Sequence, residues 1–361
     1  MQAIDRLCRL DRPYDLDDER ELLFHEAMQE AFAHHRRSCP EFGRFCEQQG
    51  FQRLGRLEDA PFVFVNVFKR YELLSVEKSQ VVLHVRSSGT SGQKSQTFFD
   101  QASLDRAQAM LETVFADQGL VAPDETTNSL LFSYDPAEAP DSGAAFSSSN
   151  WTRFTRQAEV FYALQKGPEG FFFDEEGALE ALVRLAQSPF PTRIVGFPSF
   201  LHRLMTRLHA PVRLAEGSWV LTGGGWKGQA EQAIPREEFL QLVSQKLAVP
   251  PERQRDNYGM VEHGAPYVEC PAHRFHVPVF CRALIRHPLD LRPLAPGEPG
   301  LLQLCTPFLT SVPNLSLLTS DLAALEEGCP CGRQAPALRF LGRGGTRKHA
   351  GCAIAAARLL E

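Results

Sequence analysis

Between residues 79 and 247 short apolar runs alternate with amphipathic helical patterns, and that alternation points to an α/β fold. Ser79–Arg86 (SQVVLHVR) reads as a buried strand. Asp100 then caps a helix that carries Leu104, Ala107, Leu111 and Val114 at helical spacing. Leu130–Ser133 is the next strand and 175–187 the next helix, followed by a strand at Arg193–Phe197 and a helix from near Ser199. Trp219–Thr222 is a strand that runs into Gly223, Gly224 and Gly225, and a helix covers about 235–247. From about residue 275 helices give way to short strands broken by Pro and Gly, at Val277–Ile285, Leu301–Cys305 and Leu315–Leu318. An α/β body with a β-rich C-terminal portion is the expectation. Ahead of it a helix is predicted over about 17–35, capped by Asp15 or Asp17. Its stripe is Leu23, Phe24, Ala27, Met28, Ala31 and Phe32. The stretch 135–150 (DPAEAPDSGAAFSSSN) reads as a loop.

Composition removes several functions. Hydrophobic residues make up 43% and charged residues 23%, the balance of a globular protein in water. A net charge of −6 with no basic block argues against nucleic acid as a partner. No apolar run approaches the ~20 residues of a spanning helix. The opening MQAIDRLCRLDRPYD is too charged for a secretory signal, so the cytoplasm is expected. Nine cysteines, an odd number, do not read as a disulfide framework. Cys270, Cys329 and Cys331 are placed instead to join His273 or His276 in a metal-ligand set.

Directly after the first strand comes Ser87-Ser88-Gly89-Thr90-Ser91-Gly92-Gln93-Lys94. Glycines let the backbone approach a phosphate, hydroxyls and amides donate to its oxygens, and Lys94 adds charge. The spacing is not that of a GxxxxGK[ST] loop, and alone the segment serves equally well as a surface turn. Downstream stand Gly223-Gly224-Gly225-Trp226-Lys227, Asp256-Asn257-Tyr258-Gly259-Met260-Val261-Glu262, Thr319-Ser320-Asp321, Gly342-Arg343 and Lys348-His349-Ala350-Gly351. In this order they resemble the successive motifs of the adenylate-forming superfamily, which includes acyl-CoA synthetases and peptide-synthetase adenylation domains. FKRYELLSV, GGGWKG, DNYGMVEHGAPYVEC, HVPVF, ALIRHP and LLTSDLAAL together resemble a smaller branch more closely, the acyl-protein synthetase family. Its best-known members are the fatty-acid-activating subunits of bacterial luminescence fatty acid reductase complexes. The resemblance runs from about residue 60 to the C-terminus.

That resemblance implies the large N-terminal domain of the adenylate-forming fold over 1–340, sheets flanked by helices plus a β-rich subdomain, with a helical region over about 1–75. It implies ATP and Mg²⁺ as cofactors. Ser87, Ser88, Gly89, Thr90, Ser91, Gly92 and Lys94 would contact the β- and γ-phosphates, and Gly223, Gly224 and Gly225 would lie against adenine. Tyr258 and Gly259 would line the adenine and acyl pocket, Glu262 would help hold Mg²⁺, and Asp321 and Arg343 would take the ribose. Related aryl-CoA ligases show a Cys…His…Cys-x-Cys grouping around structural zinc, which makes Cys270, His276, Cys329 and Cys331 the implied set.

The chain departs from the superfamily pattern in two places. Ser320 replaces the usual middle glycine of the Thr-Gly-Asp motif. The sequence also stops at Glu361, so the mobile C-terminal domain with its second lysine is expected to be missing, leaving a truncated hinge segment over 341–361 and Lys348 as the provisional catalytic lysine. In the branch resembled, a cysteine near the C-terminus takes the acyl group from AMP, and Cys352 between Gly351 and Ala353 matches it. From its surroundings alone Cys352 reads equally as a buried structural thiol. The expected substrate is a carboxylic acid, fatty or otherwise apolar, and the expected acceptor is a protein such as a reductase or carrier. An acyl- or aryl-CoA ligase and a non-catalytic nucleotide-binding scaffold are the alternatives. Phe62, Phe64, Phe68 and Phe171–Phe173 suit an apolar acyl pocket and an ordinary core equally.

Overall fold

The computed structural model describes residues 2–86, 96–139, 150–168, 170–226 and 230–344. The chain forms two compact units, one of Met1–Asp117, Met260–Tyr267 and Arg274–Glu361, the other of Gln118–Gly259 and Val268–His273.

The first unit opens with helices α1 (Gln2–Cys8), α2 (Asp18–Ser38) and α3 (Pro40–Gln48). Asp17 is the cap of α2, its carboxylate accepting from the Arg20 N–H at 2.8 Å, and the whole expected stripe from Leu23 to Phe32 is buried. Extended backbone at Cys39, ahead of Pro40, ends α2, and proline at the first turn starts α3. Gly43 permits their close approach: a Cβ there would lie 2.8 Å from the Arg36 carbonyl oxygen. Next come β1 (Val63–Phe64), α4 (Val67–Arg70), the antiparallel pair β2 (Val81–Arg86) and β3 (Gln96–Asp100), and α5 (Gln101–Asp117).

Later strands of this unit make a second sheet in the order β11 (Phe275–His276), β15 (Ala337–Arg343), β14 (Ser316–Glu326), β13 (Gly300–Cys305), β12 (Arg282–Arg286), with β1 parallel to β14. Of the single strand expected over Val277–Ile285 only the part from Arg282 is strand, in β12, while β11 ends ahead of the range at His276. Pro278, which has no N–H for a ladder, heads the turn between them, and its carbonyl accepts from Cys281 at 2.8 Å. Strand β2 is also not the buried strand the sequence suggests. It is half-exposed, with Val82 at 53%, because its sheet has two strands among the described residues.

The link from β13 to β14, Thr306–Leu315, is a loop without exposed surface. A buried loop must satisfy its backbone with side chains. Arg106 Nη1 donates to the Phe308 carbonyl at 3.1 Å, and His35 and His34 reach the Leu309 and Thr310 carbonyls at 3.1 and 2.8 Å. Ser103 Oγ accepts from the Thr310 N–H at 2.9 Å, and Ser311 Oγ donates to the Phe98 carbonyl at 2.6 Å. This loop also explains a shift in α5. Asp100 caps it as expected, through the Ser103 N–H at 3.0 Å, but the buried face is Ser103, Arg106, Met110, Val114 and Phe115 rather than Leu104, Ala107 and Leu111.

The second unit is built on a sheet ordered β10 (Tyr267–Val268), β9 (Gln254–Tyr258), β8 (Trp219–Gly223), β7 (Thr192–Gly196), β4 (Thr126–Tyr134), β5 (Arg156–Gly167), β6 (Gly170–Phe173). Strands β5, β4, β7, β8 and β9 run parallel. Helices α6 (Glu175–Leu185), α7 (Pro198–Arg207) and α8 (Arg236–Leu247) pack Ala181, Leu182, Leu204, Met205, Phe239 and Val243 into its core. From β4 the chain steps to β5 on one side and then crosses to β7 on the other. The strand order thus reverses at β4, and ligands of open α/β sheets bind at the carboxyl ends beside such a reversal.

Candidate active site

At its carboxyl end β8 runs into the glycine turn. Gly224 and Gly225 take positive φ, +72° and +67°, which side chains resist. Gly223 pairs with Asn257 of β9, whose carbonyl oxygen would lie 3.1 Å from an added Cβ. The turn and the Asp256–Tyr258 motif are thereby set side by side on neighbouring strands. By contrast a Cβ on Gly259 would meet open space, so protein packing alone does not demand glycine there.

Behind this edge lies a polar cluster. Thr222 Oγ1 and the Asn257 N–H both donate to Asp256 Oδ1 at 3.0 Å. Glu269 Oε2 accepts from the Asp256 N–H at 2.7 Å and from Arg236 Nη2 at 2.6 Å, with His273 Nδ1 at 3.4 Å. Burial, then the charge of Glu269, pushes the Asp256 carboxyl up to about 6. Burial also pushes Glu269 upward, but its bonds to His273 and Arg236 outweigh that and hold it below the ordinary value. Asp256 and Glu269 both lie in the DNYGMVEHGAPYVEC segment that the sequence singles out, whereas Arg236 carries no sequence signal. The cluster fixes β9 where the motif turns.

Glu262 stands in the turn Met260–Gly264, closed by the His263 and Gly264 amides on the Met260 carbonyl at 3.2 and 2.9 Å. It is 5% exposed and pairs with no basic side chain among the described residues. An uncompensated carboxylate in such a place is costly without a cation. Gly264 has φ +74°, and a Cβ there would lie 2.9 Å from Phe308 Cζ. Asn314 Nδ2 donates to the Glu262 carbonyl, and His263 Nε2 meets the Tyr267 hydroxyl at 2.9 Å.

Asp321 and Arg343 are directly opposite each other on β14 and β15, and Arg343 Nε donates to Asp321 Oδ1 at 3.1 Å. Asp321 is 8% exposed, while the Arg343 side chain is 76% exposed. The Asp321 N–H donates to Thr319 Oγ1 at 3.0 Å, and Thr319 in turn donates to the Leu302 carbonyl at 2.8 Å, tying the motif to β13. Two motifs separated in sequence therefore form one site.

Ser87, Ser88, Gly89, Thr90, Ser91, Gly92 and Lys94 lie outside the described residues, as do Lys348 and Cys352. The flanks of the serine–glycine segment are described: Arg86 pairs with Gln96, so it connects the two strands of an antiparallel hairpin.

Three of the predicted metal ligands come together. Within the first unit the ligand atoms of His276, Cys329 and Cys331 lie within 4.8 Å of one another, with Cys331 Sγ 3.2 Å from His276 Nε2, while Cys270 belongs to the second unit. His276 Nδ1 meets the Ala335 carbonyl at 2.6 Å, which fixes Nδ1 as the protonated nitrogen and turns Nε2 toward the thiols. Burial foremost lowers the His276 pKa and keeps the imidazole in the neutral form a metal takes. His273 is directed to Glu269 instead.

A parallel sheet with a glycine turn at its carboxyl edge and, in the other unit, an antiparallel sheet bearing a buried Asp are the elements of the adenylate-forming ligase fold, which solved structures of such ligases share with most of this chain. An open conformation of 2-hydroxyisobutyryl-CoA ligase, in complex with 2-HIB-AMP and CoA, matches 93% of this chain and 77% of that chain with a TM-score of 0.67 at 14% identity. The chain belongs to the LuxE acyl-protein synthetase family, whose model matches residues 1–360. A long-chain-fatty-acid–luciferin-component ligase of Vibrio harveyi is 28% identical over 90% of this chain and 84% of its own length. The ligase of the same name from Aliivibrio fischeri is 25% identical over 99% of this chain and 94% of its own. The protein is thus a ligase that activates a carboxylic acid as its acyl-adenylate for transfer to protein. No helix among the described residues is long and apolar enough to cross a membrane.

Proposed function

We propose that this ligase activates a long-chain fatty acid, carries the acyl group on its own Cys352, and delivers it to a reductase or carrier protein in the cytoplasm. In the first reaction a carboxylate oxygen of the acid bonds to the α-phosphorus of ATP and pyrophosphate leaves. In the second the Cys352 thiolate bonds to the acyl carbon and AMP leaves. The names of the two relatives, both long-chain-fatty-acid ligases, support the choice of acid.

The meeting of Asp321 and Arg343 across neighbouring strands carries the nucleotide reading. Asp321 accepts from the ribose hydroxyls with Arg343 beside it, Gly223–Gly225 lie against adenine, and Tyr258 and Gly259 line the pocket. Ser87–Gly92 and Lys94 hold the β- and γ-phosphates, and Lys348 serves the adenylate from the C-terminal segment. Glu262 helps hold Mg²⁺, which would neutralise phosphate charge when bound; an almost buried carboxylate with no basic partner among the described residues suits that duty. The test uses radiolabelled fatty acids of graded length with ATP. Label on the chain that hydroxylamine removes, and that Cys352→Ser abolishes while acid-dependent pyrophosphate exchange persists, is the expected result. Label retained by Cys352→Ser would overturn the thioester assignment, and rapid turnover with CoA alone would favour a CoA ligase.

Cys270, His276, Cys329 and Cys331 hold a structural zinc in this reading. Tetrahedral ligation would bring their ligand atoms to about 3.3–3.8 Å apart. Protein purified without chelators is expected to carry about one zinc per chain and to melt at lower temperature once it is stripped. Metal analysis checks this, and Cys331→Ser should carry far less; near-zero zinc in the unmutated chain would refute it.

A further inference from the structure

The Thr306–Leu315 loop touches both flanks of the proposed phosphate chemistry, all within the first unit. Ser311 Oγ holds the carbonyl of Phe98 in β3, the strand entered directly after the Ser87–Lys94 segment. Three residues further on, Asn314 Nδ2 holds the carbonyl of Glu262. From this we propose that Asn314 is a positioning residue that fixes the Glu262 turn for metal·ATP. The proposal rests on the reading of Glu262 as a magnesium ligand.

Asn314 is an expensive choice if its only duty is to fill space. It is fully buried, and its Oδ1 has no hydrogen-bond partner among the described residues. A buried amide with an unsatisfied oxygen costs about 1–3 kcal/mol, which an aliphatic side chain of similar size would avoid. What the amide supplies is one directed N–H on the backbone of Glu262. The turn receives further support from His263, whose ring stacks on Tyr267 at 5.7 Å between centroids, and from the contact of Gly264 with Phe308 of the same loop. The Asn314 bond is to the main chain of Glu262 and not to its carboxylate.

The proposal separates from a purely structural role by what changes. In Asn314→Ala the Mg²⁺ concentration for half-maximal pyrophosphate exchange, and the KM for ATP, are expected to rise about tenfold, the equivalent of one lost hydrogen bond. Both readouts are independent of the fraction of chains that fold. Hydrogen exchange supplies a measure apart from activity: the His263 and Gly264 amides should exchange faster, while amides of the second unit keep their protection. Asn314→Asp, similar in volume but with no N–H to offer, is expected to behave alike and serves if the alanine variant folds poorly. Glu262→Gln is run in parallel. If it raises the Mg²⁺ requirement and neither Asn314 variant does, the positioning role is wrong and the Glu262 reading stands. If Glu262→Gln leaves the requirement unchanged, the Glu262 reading fails and the Asn314 proposal with it.

Discussion

Asp321→Ala is expected to lower acid-dependent pyrophosphate exchange by at least about two orders of magnitude, since the two charge-assisted hydrogen bonds proposed to the ribose are each worth about 1.5–3 kcal/mol. The carboxylate is 8% exposed and is held in place by the Thr319–Leu302 chain of bonds, so no reorganisation is needed when a nucleotide arrives. Arg343→Ala should cost only a fewfold factor. Its side chain is 76% exposed, where an ion pair is screened by solvent. Discrimination against 2′-deoxy-ATP provides a second readout: the unmutated ligase should prefer ATP, and Asp321→Ala should largely lose that preference. Exchange within threefold of the unmutated rate in Asp321→Ala would remove Asp321 from the ribose site.

Arg106→Met should destabilise the first unit by about 3 kcal/mol, leaving activity per folded chain near normal. Arg106 is buried in α5 and binds the Phe308 carbonyl, the Thr310 hydroxyl and Asp5 Oδ1. Methionine fills most of the space but leaves the buried Phe308 carbonyl without its donor. Asp5 contributes less, since its side chain is 47% exposed and can be hydrated; Asp5→Asn should cost below about 1 kcal/mol. All three tryptophans, Trp151, Trp219 and Trp226, lie in the second unit, so urea unfolding of the first is better followed by circular dichroism than by indole fluorescence. An unchanged midpoint in Arg106→Met would show that the buried loop does not depend on this guanidinium.

The α/β class was legible because apolar spacing reports directly on which face of a helix or strand is buried. Helix α2 matches its predicted stripe residue for residue. Strand β5 was missed even though it has 12 residues, since RQAEVFYALQKG mixes polar and apolar side chains and its burial is intermediate along most of its length. The order β9-β8-β7-β4-β5 was equally hidden, because pairing between parallel strands depends on partners remote in sequence. The motifs single out Gly223, Glu262 and Asp321 as candidates but do not reveal what holds each of them. Asn314, Arg106 and His35 are polar, and composition places such residues at the surface; all three are buried because a loop without solvent takes its hydrogen bonds from them. The pairing of Asp321 with Arg343 required the β14–β15 register, which no spacing rule supplies.

The grip of α2 on that loop also sets an order of events at synthesis. His34 and His35 bond to carbonyls 276 and 274 residues away, so the first helices to leave the ribosome wait for almost the last strands before their buried face is complete. The second unit, nearly continuous over 118–259, has no such delay. The nascent chain therefore carries a finished parallel sheet while the apolar side of its N-terminal helices is still uncovered. Apolar surface left open during that interval is an expected aggregation hazard for the nascent chain.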